Sequence, residues 1–235
     1  MEGIETTTFH LPFHLLRKGL TVSDEEVMTM TLLVMAIVFG LSFMVTRRLA
    51  LVPSKRQSLV ELIIEGLSGF LREMIGPEGP RYLPLISSFF LFIVCSNLLG
   101  LVPGFISPTS NLNTTVALAL VAFFSYHIMG LRAKGLRYFK DFLGPVWWMA
   151  PLMLPLEIIS HMARILSLSF RLFGNIKGDE IVVAILVLLA GLIHYFFPWQ
   201  ILMFPLAMFT GIVQALIFTM LTTLYIASAV TEEAH

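Results

Sequence analysis

The sequence predicts an all-α integral membrane protein with five membrane-crossing helices, the last two long, tilted and hairpin-like, plus one amphipathic interfacial helix. Of its 235 residues, 57% are hydrophobic and only 13% are charged, against about 25% charged in a soluble domain. Mean hydropathy is +0.87. The charges are also segregated, leaving uncharged stretches at least as long as the ~20 residues that carry a helix across a hydrocarbon core.

Residues 1–26 read as an outside N-terminal segment. They hold no basic start followed by a long apolar stretch, so no cleavable signal peptide is evident. Residues 27–46, "VMTMTLLVMAIVFGLSFMVT", are uncharged and form the first span. In 58–76, Glu61, Glu65, Ser68 and Arg72 share one helical face, with Leu, Ile and Phe opposite. That pattern predicts an amphipathic helix in the cytoplasmic interface or packed against another subunit at the membrane edge. No acidic or basic residue lies between Arg81 and Arg132, but "PGFISPTSNLN" interrupts the run with turn formers. Residues 83–131 are therefore a helical hairpin. The uncharged run from Glu180 to Glu232 is likewise broken by "HYFFPWQ" at 194–200, whose aromatics and proline suit an interfacial turn. With the segment before it, this makes 152–231 a channel-forming helical hairpin.

Arg47, Arg48, Lys55 and Arg56 follow the first span, and Arg132, Lys134, Arg137 and Lys140 follow the third, whereas the two opposite turns carry no Lys or Arg. The positive-inside rule then puts the N-terminus outside and the C-terminus in the cytoplasm, with only Arg17 and Lys18 pulling the other way.

The chemistry concentrates in "EIISHMARILSLSFRLFGNIKGDE", Glu157 to Glu180. Arg164 and Arg171 stand at membrane depth, where insertion scales charge about 2.5–3.5 kcal/mol for an arginine. Glu157, Ser160, Arg164, Ser167, Arg171 and Asn175 are spaced 3, 4, 3, 4 and 4 apart. On a helix they fall within about 80° of arc and extend over roughly 27 Å. The remaining faces read as Ile, Leu, Met and Phe. A polar ribbon of this length faces protein or water, not lipid. Either an arginine pairs with Glu157 or Glu180 and glues helices together, or the ribbon lines an ion path with an arginine as its fixed positive charge. Two arginines against one carboxylate leave positive charge in excess, which favours the ion path and invites an acidic partner. Asp179 and Glu180 follow "GNIKG", whose glycines are expected to loosen the helix, and Lys177 is expected to snorkel to the interface. Gln214, between Gly211 and Ala215, reads first as an interhelical hydrogen bond at a close helix approach.

Other candidates are weak. Glu157 and His161 stand at i, i+4 without an HExxH motif, and Pro12 separates His10 from His14. His127 and His194 are expected to make ordinary hydrogen bonds near helix ends. The single Cys95 lies in an apolar run and offers neither a disulfide nor a thiolate metal site. There is no nucleophile–base pair, phosphate loop or redox motif, so no catalytic site, cofactor or metal is expected.

At "SLSFRLFGN" followed by Glu180, and at "QALIFTMLTTLYI", the chain resembles subunit a of the F-type ATP synthases. "NLLGLVPG" and "SPTSNLNTTVALAL" match the same family, and the resemblance covers about residues 23 to 231. It implies a non-catalytic stator subunit beside a ring of c subunits that each carry a mid-membrane carboxylate, with a peripheral stalk of b subunits; the short N-terminus without a transit peptide favours a bacterial plasma membrane, an organelle-encoded protein being the alternative. Arg171 matches the family's essential arginine, and Arg164 a commonly basic position. Glu180, Asn175, Ser167 and Gln214 match the outer half-channel and the region around the arginine, and Asp179 joins them as a neighbouring carboxylate. Glu157 and Ser160, with Arg164, match the cytoplasmic half-channel. Many members place a second ionisable residue on the final helix opposite the Glu180 position; here 201–231 has none, and Ala207 stands at the counterpart. The competing readings are a stand-alone ion-coupled transporter or channel, and a purely structural anchor. Neither explains a net-positive stripe across the bilayer, and no matching interrupted helices in the two halves suggest an inverted-repeat transporter.

Overall fold

The computed structural model describes residues 24–47, 55–102, 104–138, 150–192 and 199–230. Six helices account for most of them: α1 (Asp24–Thr46), α2 (Lys55–Ile75), α3 (Leu83–Gly100), α4 (Leu112–Lys134), α5 (Ala150–Leu192) and α6 (Trp199–Val230). Five of them, all but α2, are long and apolar enough to cross a membrane. The all-helical class and the five spans are as the sequence predicts. Most of the N-terminal segment, His10, His14, Arg17, Lys18, Arg48, Lys140 and the turn residues 194–198 lie outside the described residues.

Helix boundaries follow local chemistry. α1 starts at Asp24, before the uncharged run, because Asp24, Glu25 and Glu26 suit the positive end of a helix dipole. α2 stops at Gly76, whose φ of 95° lets its N–H reach the Arg72 carbonyl at 3.0 Å. Pro84 occupies the first turn of α3, where no intrahelical N–H is needed. The Asn111 side chain caps α4 by accepting from the Asn113 N–H at 2.8 Å. α5 contains Pro155 and α6 contains Pro205, and both helices continue through them.

α6 is the central element and packs on α3, α4 and α5, while α5 packs on α4 and α6. The core between them holds Ile86, Phe89, Ile93, Ala122, Leu168, Leu172, Phe218 and Ile226, with the Phe89 and Phe218 rings 5.6 Å apart. Thr219, Thr222 and Thr223 are buried in that layer without harm, because each hydroxyl donates to the carbonyl four residues back at 2.8–2.9 Å. α1 lies at the edge against α3 and exposes Phe39 and Met44, as a lipid-facing helix does. α2 buries Leu67, Leu71 and Ile75 and exposes Glu65 and Arg72, as the amphipathic reading expects, while Leu62 and Ile64 are exposed as well.

The turn between α3 and α4 is more than a turn. Ser107, Thr109 and Ser110 are buried. Ser107 donates to the Ser96 carbonyl at 3.0 Å, and Thr109 donates to Asn97 Oδ1 at 2.8 Å. Asn97 Nδ2 donates in turn to the Gly211 carbonyl on α6 at 2.9 Å. This polar knot seals one end of the bundle.

α5 has 43 residues, about 64 Å at 1.5 Å per residue. A hydrocarbon core is only ~30 Å thick, so a helix of this length crosses it strongly inclined or extends well beyond it.

Candidate functional site

The polar ribbon forms on one uninterrupted helix. Although the glycines of "GNIKG" can loosen a helix, α5 stays helical through Gly174 and Gly178, neither of which adopts a positive φ. Glu157, Ser160, Arg164, Ser167, Arg171 and Asn175 are thus displayed along one rod.

Arg171, Ser167 and Asn175 are exposed, with Phe170 and Leu166 exposed beside them. Ala163, Gly174 and Gly178 are also exposed and leave this face free of bulk. Arg171 Nη2 lies 3.5 Å from Ser167 Oγ, a marginal contact. Among the described residues, Arg171 forms no ion pair. The pairing of an arginine with Glu157 or Glu180 does not occur there: Glu157 Oε1 lies 3.4 Å from His161 Nε2, and Glu180 Oε2 lies 2.7 Å from Lys177 Nζ. An arginine exposed among serine and asparagine with no carboxylate in reach among the described residues, on a helix apolar enough to cross a membrane, is a costly charge unless another molecule supplies its anion.

The opposite side of α5 packs inward through Ile165, Leu168, Leu172 and Ile176. It is less apolar than the sequence suggested. Ser169 is buried and shares a 3.1 Å hydrogen bond with Thr115 on α4.

Toward the C-terminal half of α5, three polar links run along the helix. Asn175 Nδ2 donates to Gln214 Oε1 on α6 at 2.6 Å, so Gln214 makes the interhelical bond expected of it. Its Nε2 is buried with no acceptor among the described residues. Thr210 donates to Asp179 Oδ2 at 2.9 Å and also lies 3.1 Å from the Ala207 carbonyl. Asp179 therefore faces α6 one turn from the position where the sequence lacks an ionisable group. The Lys177 side chain is largely buried and its ammonium lies 2.7 Å from Glu180 Oε2, because residues three apart share a helix face. Close approach of α6 to α3 depends on Gly211, where an added Cβ would stand 3.0 Å from Asn97 Cβ.

Toward the N-terminal half, Arg164 stacks over the Tyr225 ring of α6 at 5.2 Å. Ser160 and Glu157 lie half-buried on the same rod. His161, pointing inward, shares a 2.8 Å hydrogen bond between its Nδ1 and the Tyr126 hydroxyl of α4. His127, within α4, shares a 2.6 Å bond with the Tyr138 hydroxyl, the ordinary hydrogen bond expected of it. The His127 and His161 rings are 4.8 Å apart. Sequence reasoning noted His161 only as the i+4 neighbour of Glu157; its long-range partner was out of view. Among the described residues, no group of three or more His, Cys, Asp or Glu could hold a metal ion.

The fold and site define a multi-pass helical membrane protein that carries, on an open face, an arginine with no ion pair among the described residues, with carboxylates to either side of it along one helix. The sequence pattern of the family described as ATP synthase A chain matches residues 28–227. The chain is 46% identical over 207 residues to ATP synthase subunit a of Syntrophobacter fumaroxidans, covering 88% of this chain and 84% of that one. It is 48% identical over 203 residues to ATP synthase subunit a 1 of Syntrophotalea carbinolica, covering 86% and 84%. It is 45% identical over 210 residues to ATP synthase subunit a of Helicobacter hepaticus, covering 87% and 90%. The chain belongs to the ATP synthase subunit a family.

Proposed function

We propose that this chain is the ion-translocating stator subunit of an F-type ATP synthase, forming two offset proton half-channels against a ring of c subunits. The observation that carries the proposal is Arg171, exposed and free of any ion pair among the described residues, on the open face of α5. A buried-depth cation needs an anion, and the mid-membrane carboxylate of a c subunit supplies one. The small residues Ala163, Gly174 and Gly178 on the same face favour close approach of that ring.

In this reading the outer half-channel comprises Ser167, Asn175, Gln214, Asp179 and Glu180. A proton entering from outside reaches a c carboxylate and neutralises it. The neutral site then moves into lipid, which an ionised one resists. After nearly a full turn of the ring, the proton leaves past Arg164, Ser160 and Glu157 to the cytoplasm. Arg171 attracts each deprotonated carboxylate and blocks direct flow between the two paths, a task suited to a side chain whose pKa is too high for it to lose its proton. Asp179, held by Thr210, supplies the carboxyl missing near Ala207. Each proton crossing yields about 2.3 kcal/mol per 100 mV, so several pass per ATP. The chain carries no catalytic site of its own in this account. It sits in the bacterial plasma membrane with its N-terminus outside and its C-terminus in the cytoplasm. α2 lies along the cytoplasmic interface, and a b-subunit stalk holds the chain against the turning ring.

The test is ATP-driven proton pumping by inverted vesicles containing the complete synthase with Arg171→Ala. Lost pumping with the complex still assembled supports the proposal, and normal pumping refutes it.

A further inference from the structure

We propose that His161 is a positioning residue for Glu157, with Tyr126 selecting the imidazole tautomer that makes this possible; the inference rests on Glu157 belonging to the cytoplasmic half-channel. Three contacts on two helices support it. Tyr126 is 2% exposed, and its hydroxyl lies 2.8 Å from His161 Nδ1. His161 is itself buried, and its Nε2 lies 3.4 Å from Glu157 Oε1. The Tyr126 and His161 rings stack at 5.9 Å with an interplanar angle of 26°, which fixes the imidazole plane.

The tautomer follows from donor and acceptor roles. A phenol is protonated at neutral pH and is a good donor, so the Tyr126 O–H points at an unprotonated Nδ1. A neutral imidazole then carries its proton on Nε2, aimed at the carboxylate. The other tautomer would set the Nε2 lone pair against a carboxylate oxygen, two acceptors facing each other. The same logic orients the base in a hydrolase triad, where a third group fixes which ring nitrogen bears the proton.

The direction of the chain also says what it is for. From Glu157 it runs through His161 to Tyr126 in the core of the bundle. Such a route holds a carboxylate in place rather than delivering its proton to water. Glu157 is a flexible side chain with 37% exposure, and at 3.4 Å the contact is long for a hydrogen bond, so His161 biases rather than locks where the carboxylate oxygens stand along the half-channel. Arg164, two turns beyond Glu157 on α5, lies over the Tyr225 ring, and among the described residues the contact of the Glu157 carboxylate is with His161 Nε2.

The experiment compares His161→Asn, His161→Gln, Tyr126→Phe, Glu157→Gln and the double variant Glu157→Gln/His161→Asn in the complete synthase. The readout is ATP-driven proton pumping in inverted vesicles, normalised to assembled complex. Gln places an amide N–H where the imidazole Nε2–H stands, whereas Asn is too short to reach Glu157. His161→Asn is expected to lower pumping about three- to tenfold, the size of a lost pairwise coupling. His161→Gln is expected to recover most of the rate, and Tyr126→Phe to fall between the two. With Glu157→Gln already present, His161→Asn is expected to cause no further loss. Equal defects in the Asn and Gln variants, or a loss that multiplies with Glu157→Gln, overturn the inference and leave the half-channel reading standing. A Glu157→Gln enzyme that pumps normally overturns both.

Discussion

Asn175 on α5 and Gln214 on α6 meet amide to amide at 2.6 Å, one helical turn from Arg171. This bond ties the helix that bears the arginine to the central helix of the bundle and fixes the rotation of α5 about its axis. Replacing Gln214 by Leu removes it, and double-mutant values for such bonds in membranes run from about 0.6 to 1.7 kcal/mol. The complex is expected to lose stability by that amount in detergent titration, and to pump more slowly because Arg171 is less firmly aimed. The exchange Asn175→Gln with Gln214→Asn keeps the summed length of the two side chains. It is expected to pump faster than either single variant. If the exchange is the worst of the three, the pair is not what positions the helix.

Asn97 bridges the α3–α4 turn to α6 by donating to Gly211 and accepting from Thr109. Its environment is buried, so Asn97→Ala removes the acceptor of the Thr109 hydroxyl, which keeps only its 2.7 Å bond with Ser107, and the side-chain donor to the Gly211 carbonyl. A cost of about 1–3 kcal/mol follows. Gly211→Ala presses a methyl group onto the Asn97 Cβ and is expected to cost a similar 1–3 kcal/mol through overpacking. Thermal denaturation of the purified complex measures both. The two changes disturb one contact, so the double variant is expected to lose less than the sum of the singles.

Lys177 and Asp179 make the outer half-channel testable without touching Glu180. Lys177→Met removes the cation 2.7 Å from Glu180. Partial exposure limits the stability effect to about 1 kcal/mol or less, so the complex is expected to assemble but to pump more slowly, while Lys177→Arg retains activity. Asp179→Asn keeps an acceptor for Thr210 but loses the carboxyl, and pumping is expected to fall in proportion to the use made of that carboxyl in place of a group at Ala207. Wild-type rates in both Lys177→Met and Asp179→Asn would remove these residues from the proton path.

The helices and the ribbon were legible because both are periodic. Runs without charge mark the spans, and spacings of three and four place Glu157 through Asn175 on one face. What escaped the sequence was pairing between distant positions. Asn175 and Gln214 are 39 residues apart, and Tyr126 and His161 are 35 apart, so no local pattern announces that they meet. The α3–α4 turn was recognised from its prolines and polar residues, but its burial was not. Serine, threonine and asparagine look the same in water as when they bond one another. The ion pair of Lys177 with Glu180 is local, three residues apart, but the sequence did not say which of the two neighbouring carboxylates, Asp179 or Glu180, the lysine would take.

The central claim is that the unpaired charge of Arg171 stands between two proton paths and faces a carboxylate on the ring. The most direct measurement is passive proton conductance of membranes stripped of the catalytic head, comparing Arg171→Ala with the unaltered chain. The account predicts an increased leak, with ring and stator still associated, because the barrier charge is gone. Conductance equal to the unaltered level, in a complex that still pumps when the head is restored, would contradict it.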